Sequence, residues 1–228
     1  MFVVIEGADA CGKATQSKLL CEHFSPSKLY SFPRYETPLG RAILRHLKGW
    51  ISVREERTVD SSDMRIDGDS YWRQAPEDAM IFQCMMTIDK YAAEPEMRAF
   101  LKEGHVVADR WWPSAYVYGV ADGLDAGWLS GIHACLLKAD LHILLEVSLE
   151  EAVRRRPERR DRYERDHHKQ ERVRKLYREL WEAHGTAYGD SWVILDGTGS
   201  VEDVSARVMS AIDRRMDSMD CVPVKPRC

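Results

Sequence analysis

A glycine-rich stretch near the start of the chain constrains the fold more than any other feature. Residues 7–15 read Gly-Ala-Asp-Ala-Cys-Gly-Lys-Ala-Thr, directly after the apolar run Phe-Val-Val-Ile of residues 2–5. A pattern with helical spacing, which includes Leu20 and Phe24, follows. The spacing Gly7-x4-Gly12-Lys13 between a strand and a helix is typical of a loop that binds nucleotide phosphates. A chance glycine-rich turn is the alternative, but such a turn rarely has both flanks in this order.

The chemistry of this loop follows from its residue types. The glycines allow the backbone to curl with its N–H groups pointing inward, and the N-terminus of the following helix adds partial positive charge. Lys13 supplies a mobile cation for the outer phosphates. Ala14 departs from the pattern, because a Ser or Thr at this position usually helps to hold Mg²⁺. The residues expected to bind the nucleotide phosphates are Gly7, Ala8, Asp9, Ala10, Cys11, Gly12, Lys13, Ala14 and Thr15.

Short apolar runs recur along the chain, with helical patterns between them. Because these runs are apolar on both faces, they indicate strands buried in a parallel sheet. Strands that alternate with helices predict an α/β fold, a doubly wound five-stranded parallel sheet with helices on both faces. Ligands of such sheets bind at the carboxyl ends of the strands. The runs are residues 2–6, 29–32, 105–109, 141–147 and 192–196.

The rest of the chain is predicted to contain helices and two less regular segments. Residues 50–76 are charged and lack periodicity, so we interpret them as a long surface excursion. Pro95 predicts a break in the helix that surrounds it. We expect one domain, residues 1–216, and a loosely packed C-terminal tail, residues 217–228. The predicted helices are residues 37–48, 77–103, 113–121, 125–138, 170–188 and 201–216.

Composition excludes several classes of protein. The net charge of −4 gives no overall bias toward nucleic acid, and no apolar run approaches the length of a membrane span. The six cysteines form no C-x-x-C pair, so we expect reduced thiols in a cytoplasmic protein without nucleic-acid or membrane partners. The chain contains no asparagine, which excludes N-glycosylation and every motif that requires this residue.

The pair Asp109-Arg110 ends the third apolar run. An aspartate beside a phosphate loop commonly reaches Mg²⁺ directly or through water, and Arg110 would reach a second phosphate group. A surface ion pair after a strand is the alternative. The phosphate loop in the same sheet favours the functional interpretation.

Six arginines lie within residues 154–162. Such a charge run is most often a solvated helix face, and a nucleic-acid patch lacks interleaved aromatic residues. We favour a lid over the transferring phosphoryl group, about residues 154–166, because the run directly follows the strand that ends at Val147. One arginine in such a position contributes a factor of roughly 10³–10⁵ in rate.

Aromatic residues beside cations follow the second and third runs, in Phe32-Pro33-Arg34-Tyr35 and in residues 111–118. These side chains would stack on a base and close a pocket, or they would form ordinary aromatic core. The pattern alone leaves both interpretations open.

Taken in order, these motifs resemble those of the thymidylate kinase family. The ordered set is specific, whereas the loop alone is common to many families. The resemblance implies a P-loop kinase fold and transfer of a phosphoryl group from ATP to dTMP, with Mg²⁺ as cofactor, in a homodimer. The motifs are Glu6-Gly7-Ala8-Asp9 with Gly12–Gln16, Phe32–Tyr35, Asp89-Lys90-Tyr91, Asp109-Arg110-Trp111 with Ser114 and Tyr118, and Asp161-Arg162-Tyr163-Glu164.

The resemblance also implies residue roles. The acceptor nucleotide is expected to contact Asp9, Phe32, Arg34, Tyr35, Met86, Lys90, Arg110, Ser114 and Tyr118. Residues expected near the metal are Asp9, Asp109 and Glu164. Residues expected to stabilise the transfer are Lys13, Arg110 and Asp9, with Arg155, Arg159 and Arg160 of the lid.

Departures from the family pattern concern the base. Lys90 stands where the family usually has an arginine that faces thymine, and Met86 where a phenylalanine commonly stacks. A modified pyrimidine such as 5-hydroxymethyl-dUMP is therefore an alternative acceptor. A kinase for nucleoside hydroxyls would also use the phosphate loop. So would a non-catalytic nucleotide-binding protein, which Ala14 keeps open because it weakens the case for a bound metal.

Overall fold

The computed structural model describes residues 1–48, 76–155, 167–188 and 191–220. Its centre is a parallel sheet of five strands in the order β2-β3-β1-β4-β5. The predicted doubly wound five-stranded sheet is confirmed. The strands are β1 Phe2–Glu6, β2 Ser27–Ser31, β3 His105–Asp109, β4 Leu141–Glu146 and β5 Trp192–Asp196.

Helices cover both faces of this sheet. The first five are α1 Lys13–His23, α2 Pro38–Leu47, α3 Pro76–Phe100, α4 Trp112–Ala121 and α5 Ala126–His133. The others are α6 Leu149–Arg155, α7 His167–Tyr188 and α8 Val201–Asp220. In the part of the chain that the structure describes, no helix is long and apolar enough to cross a membrane.

The alternation of strand residues divides the core between the two faces. Val3 and Ile5 of β1 pack with Leu20 of α1 and Val208 of α8 on one face. Phe2 and Val4 point to the opposite face and pack with α3 and the segment after β3. This arrangement places the loops after β1, β3 and β4 at one edge of the sheet, since parallel strands share the direction of their carboxyl ends.

Several predicted helix boundaries were wrong; the helix predicted over residues 125–138, for example, ends at His133. Helix α3 continues through Pro95, because the proline is exposed while Ala93 and Met97 on its inner side are fully buried and hold the helix against the core. Helix α8 extends to Asp220, so the segment expected to be tail from residue 217 begins in helix. Most of the predicted excursion (50–75 of 50–76), most of the lid (156–166) and the last residues (221–228) lie outside the described residues.

An aromatic cluster lies at the amino ends of β4 and β5. The His142 ring stacks on Trp192 with ring centroids 4.0 Å apart, and Trp112 and Trp181 meet it edge-on. Burial, reinforced by the neighbouring His184, lowers the pKa of His142 to about 3. His142 is therefore neutral in the folded protein at ordinary pH.

Candidate active site

The loop after β1 has the backbone geometry of a phosphate cradle. Gly7 has φ of +151°, and a Cβ there would lie 2.5 Å from the Leu145 carbonyl oxygen, so only glycine fits. Gly12 has φ of +98° and caps α1, whose first turn begins at Lys13. The free N–H groups of this turn face the loop, as anion binding at a helix N-terminus requires.

Asp9 is the centre of the polar groups around the loop. Its Oδ1 lies 2.5 Å from Nη2 of Arg110 and 3.8 Å from Nζ of Lys13. Its Oδ2 accepts hydrogen bonds from the Tyr118 hydroxyl and from Nε2 of Gln170, both at 3.1 Å. These partners come from α1, α4, α7 and the end of β3, so four parts of the fold converge on one carboxylate.

The charge on Asp9 is secured by these partners. Burial alone would raise the pKa of Asp9, but Arg110 and Lys13, together with the hydrogen bonds from Tyr118 and Gln170, outweigh it and lower the pKa below its ordinary value. Asp9 is therefore an anion between two cations. A phosphate or a metal ion that enters this site meets a preformed pattern of alternating charge.

Arg110 adopts an unusual backbone conformation. Its φ of +69° lies in the left-handed region, which side chains other than glycine rarely occupy. This turn directs its guanidinium back toward the loop, where Nη1 donates to Ser114 Oγ at 3.2 Å and the guanidinium lies 5.6 Å from the centre of the Tyr118 ring. The predicted proximity of Arg110, Asp9 and Tyr118 is thus present in the structure.

Ser114 is turned away from the open side of the site. Its hydroxyl donates to the Glu6 carboxylate and is within 2.8 Å of the Tyr177 hydroxyl, and the residue is almost fully buried. We therefore place Ser114 behind Arg110, not against the acceptor. Glu6 itself is fully buried, and burial raises its pKa against the opposing effects of Arg110 and of its hydrogen-bond donors.

A second group of expected residues lies around Asp89 and the buried Phe32 ring. Arg34 is held by Asp89, since its backbone N and Nε donate to the two carboxylate oxygens at 2.9 and 3.0 Å. Nζ of Lys90 donates to the Met86 carbonyl oxygen at 2.9 Å and lies 5.7 Å from the centre of the buried Phe32 ring. Lys90 is itself buried, which lowers its pKa to about 8 although Asp89 and Glu6 oppose this shift.

Tyr35 is the exposed member of this group, and α2 fixes the loop that carries it. A Cβ on Gly40 of α2 would lie 1.8 Å from the Arg34 carbonyl oxygen. The same carbonyl accepts a hydrogen bond from the Thr37 hydroxyl at 2.9 Å. The Arg34–Tyr35 loop is therefore clamped between α2 and Asp89.

A cleft of about 240 Å³ lies on the other side of the phosphate loop. It is bounded by the start of α1, the end of α6 and residues 197–204 after β5. Arg155 crosses its floor: Nη2 donates to the Gly197 carbonyl at 2.8 Å, Nη1 to the Cys11 carbonyl at 3.4 Å and Nε to Glu151 at 2.7 Å. Arg155 is thus fixed in the wall of the cleft, whereas Arg159 and Arg160 lie outside the described residues.

The described residues offer carboxylates for a metal ion at this edge of the sheet. Oδ1 of Asp109 is buried and has no hydrogen-bond partner among residues that the structure describes. Mg²⁺ is usually bound by one or two carboxylates together with substrate phosphates and water, so the expectation for Asp9 and Asp109 does not require a protein cage. Among the described residues, no group of three or more His, Cys, Asp or Glu side chains could hold a metal ion. Glu164, the third expected residue, lies outside the described ranges.

Some residues of the site were not expected from the sequence. Gln170 reaches Asp9 from 161 positions away, and Asp89 holds Arg34 across 55 positions. The sequence identifies the segment 197–201 only as following a strand, although it bounds the cleft. The signal that could have found it is the rule that ligands bind beyond the carboxyl ends of parallel strands.

Comparison with known proteins decides the family. The family model described as thymidylate kinase matches residues 71–208, which is more than half of the chain. The chain belongs to the thymidylate kinase family. Because the match begins after the phosphate loop, the loop motif is evidence independent of it.

Relatives of the thymidylate kinase family extend the similarity to almost the whole chain. The chain is 26% identical over 219 residues to a thymidylate kinase of Dictyostelium discoideum, covering 93% of this chain and 85% of the relative. It is 28% identical over 221 residues to a probable thymidylate kinase of Thermococcus kodakarensis, covering 93% and 97%. A solved thymidylate kinase structure from Candida albicans has a TM-score of 0.72 at 23% identity, covering 95% and 92%, and supports the fold.

Proposed function

We infer that this protein transfers the terminal phosphoryl group of ATP to the phosphate of dTMP, which yields ADP and dTDP. Membership of the thymidylate kinase family supports this activity. The observation that carries the proposal is the position of Arg110, whose guanidinium lies 2.5 Å from Asp9 of the phosphate loop. A cation at this point suits an acceptor that is itself a phosphate, whereas a kinase for nucleoside hydroxyls needs no second phosphate clamp.

The roles of the two substrates follow from the charges. The N–H groups of residues 7–15 and Nζ of Lys13 hold the phosphates of ATP, and its base and ribose occupy the cleft crossed by Arg155. Arg110, Tyr35 and the Phe32–Arg34 segment hold dTMP. The acceptor phosphate is already anionic, so no general base is required, and the rate comes from alignment and neutralisation of charge.

The metal site, the lid and the extent of the domain also belong to this proposal. Asp9, Asp109 and Glu164 would hold Mg²⁺, which supplies neutralisation of the phosphate oxygens when bound. Residues 154–166 would form a lid that brings Arg159 and Arg160 to the transferring group. The core domain is residues 1–216, although helix continues to Asp220.

We also propose that two copies of the chain associate through α3. This helix exposes large apolar side chains along one side, at Ile81, Ile88 and Tyr91. Light scattering of the purified chain should give twice the mass of one chain, and I88D should reduce it to that of a monomer. A monomeric wild-type chain would contradict the proposal.

A nucleotide panel tests the activity. ADP formation is measured with ATP and Mg²⁺ and, in separate reactions, with dTMP, dUMP, 5-hydroxymethyl-dUMP, dCMP, dGMP or thymidine. We expect the highest kcat/KM with dTMP and none with thymidine. Activity on thymidine alone would refute the proposal, and binding of ATP and dTMP without ADP formation would indicate a non-catalytic protein.

A further inference from the structure

The Glu6 carboxylate is fully buried, and the proposed phosphoryl-transfer chemistry does not use it. Its Oε1 accepts the backbone N–H of Trp111 at 2.6 Å and that of Ser114 at 3.3 Å. Its Oε2 accepts the Tyr177 hydroxyl at 3.0 Å and the Ser114 hydroxyl. Four donors from two other segments therefore meet one side chain at the end of β1.

The two backbone donors belong to the start of α4. The residue that precedes this helix, Trp111, provides no side-chain cap. Glu6 takes that place from another strand, and a carboxylate at a helix N-terminus is favoured by the helix dipole. Glu6 thus fixes where α4 begins, and α4 carries Tyr118, which bonds Asp9.

The left-handed turn at Arg110 lies between two contacts to β1. The Arg110 N–H donates to the Ile5 carbonyl oxygen at 3.0 Å, and the next N–H, that of Trp111, donates to Glu6. Consecutive residues of β1 therefore hold both amides that flank the strained residue. Without the second contact, nothing among these hydrogen bonds keeps Arg110 at φ of +69° rather than in an ordinary conformation.

We propose that Glu6 is a positioning residue for the acceptor phosphate: its carboxylate clamps the amide after Arg110 and so holds the guanidinium toward Asp9 and the acceptor. This inference rests on the proposed function, in which Arg110 binds the phosphate of dTMP. We expect the ATP side, with Lys13 and the loop amides, to be affected less by this clamp than the acceptor side.

The test substitution is E6Q. Glutamine keeps the size of the side chain and one carbonyl oxygen for the two N–H groups, while the hydroxyls of Ser114 and Tyr177 can rotate to accept from its amide. The amide oxygen of glutamine accepts the Trp111 N–H more weakly than a carboxylate does, so the clamp on this amide is loosened. We expect the KM for dTMP to rise about 3- to 10-fold and the KM for ATP to stay within about twofold.

A double-mutant cycle with R110A shows whether Glu6 acts through Arg110. In the R110A background, E6Q should change the KM for dTMP by less than about twofold, because the group that it positions is absent. Equal effects of E6Q in both backgrounds would overturn the inference. Wild type that forms no ADP with dTMP overturns the proposed function as well, whereas active wild type with an unchanged KM in E6Q overturns the inference alone.

A matched control separates positioning from loss of stability. Glu94 on α3 is also a buried glutamate that accepts a backbone N–H, from Leu137, but it lies in a different part of the core. E94Q should leave the KM for dTMP unchanged even if it lowers the melting temperature. If E6Q does not fold, Y177F removes one donor and keeps the charge: a KM for dTMP raised a few-fold with an unchanged KM for ATP supports the clamp, and equal changes in both overturn it.

Discussion

The proposed ATP side of the site is built mainly from the backbone of one continuous segment, whereas the proposed acceptor side is built from side chains far apart in the sequence. Residues 7–15 provide the phosphate cradle through φ angles and N–H groups. The acceptor side depends on pairs such as Arg110 with Asp9 and Arg34 with Asp89, which span 101 and 55 positions. Phosphate recognition is therefore encoded locally, and recognition of the second nucleotide is encoded by the packing of the whole domain.

The strongest test of this division is K13M. Removing the cation of the ATP side should lower kcat by about 10³-fold, because charge in the transition state loses a preorganised partner. The dissociation constant of dTMP, measured by calorimetry without ATP, should change little. A loss of dTMP binding equal to the loss of kcat would mean that the two sides are not separate.

R110A is the corresponding change on the acceptor side. It should lower kcat/KM for dTMP about 10²-fold and leave Asp9 without its nearest cation, while the dissociation constant of ATP stays within about twofold. R110K should recover only part of the loss, since lysine keeps the charge but not the planar fork that grips a phosphate. Full recovery by lysine would show that the charge of residue 110 alone is enough to bind the acceptor phosphate.

G40A disturbs the acceptor loop through the backbone. A Cβ at this position would lie 1.8 Å from the Arg34 carbonyl oxygen, so the Arg34–Tyr35 loop must move. Because a displaced loop binds the acceptor less well, we expect the KM for dTMP to rise about tenfold, with an unchanged KM for ATP.

The matched control for this change is G131A on α5. A Cβ on Gly131 would meet nothing within 4 Å, so the variant should match wild type in both KM values. The variant should be more stable by up to about 1 kcal/mol, because alanine has a higher helix propensity than glycine. Equal kinetic effects of G40A and G131A would rule out displacement of the loop as the cause.

The smallest expected effect is a dependence of dTMP binding on pH. Burial lowers the pKa of Lys90 to about 8, so its ammonium is mostly charged at pH 7 and loses its proton as the pH rises to 9. Asp89, Glu6, Arg110 and His133 are the charged or titratable groups that interact with it. The KM for dTMP should rise several-fold over this range, and K90R should remove the rise because arginine stays charged.

The same division explains which features the sequence could predict. The apolar runs, which alternate along the chain with helical patterns, predicted every strand. Strand β2 begins earlier than predicted, at Ser27, because Ser27 and Lys28 pair with β3 despite their polarity. The phosphate loop is a local pattern and was found with its flanks. Glu6, Gln170 and Tyr177 could not be assigned, since each acts on a partner more than a hundred positions away.

Pro95 illustrates the other limit of local reasoning. A proline removes one helical hydrogen bond and predicts a break, but buried neighbours on the inner side of α3 contribute more than that bond costs. The position of helix ends was therefore decided by packing, which no short window of sequence contains.

The His142 cluster at the amino ends of β4 and β5 makes the stability of the fold depend on pH. Imidazole in an unfolded chain titrates near pH 6.5, whereas His142 in its cage of tryptophans has a pKa of about 3. Between pH 3 and pH 6.5, His142 takes up a proton when the protein unfolds. The free energy of unfolding should therefore fall as the pH drops from 6.5 toward 3, by up to a few kcal/mol. Urea unfolding at pH 7 and pH 4.5 should show this fall in wild type and a smaller one in H142F, which keeps the ring and cannot accept the proton. Acidification would thus loosen the amino ends of β4 and β5 first, on the side of the sheet where no chemistry takes place.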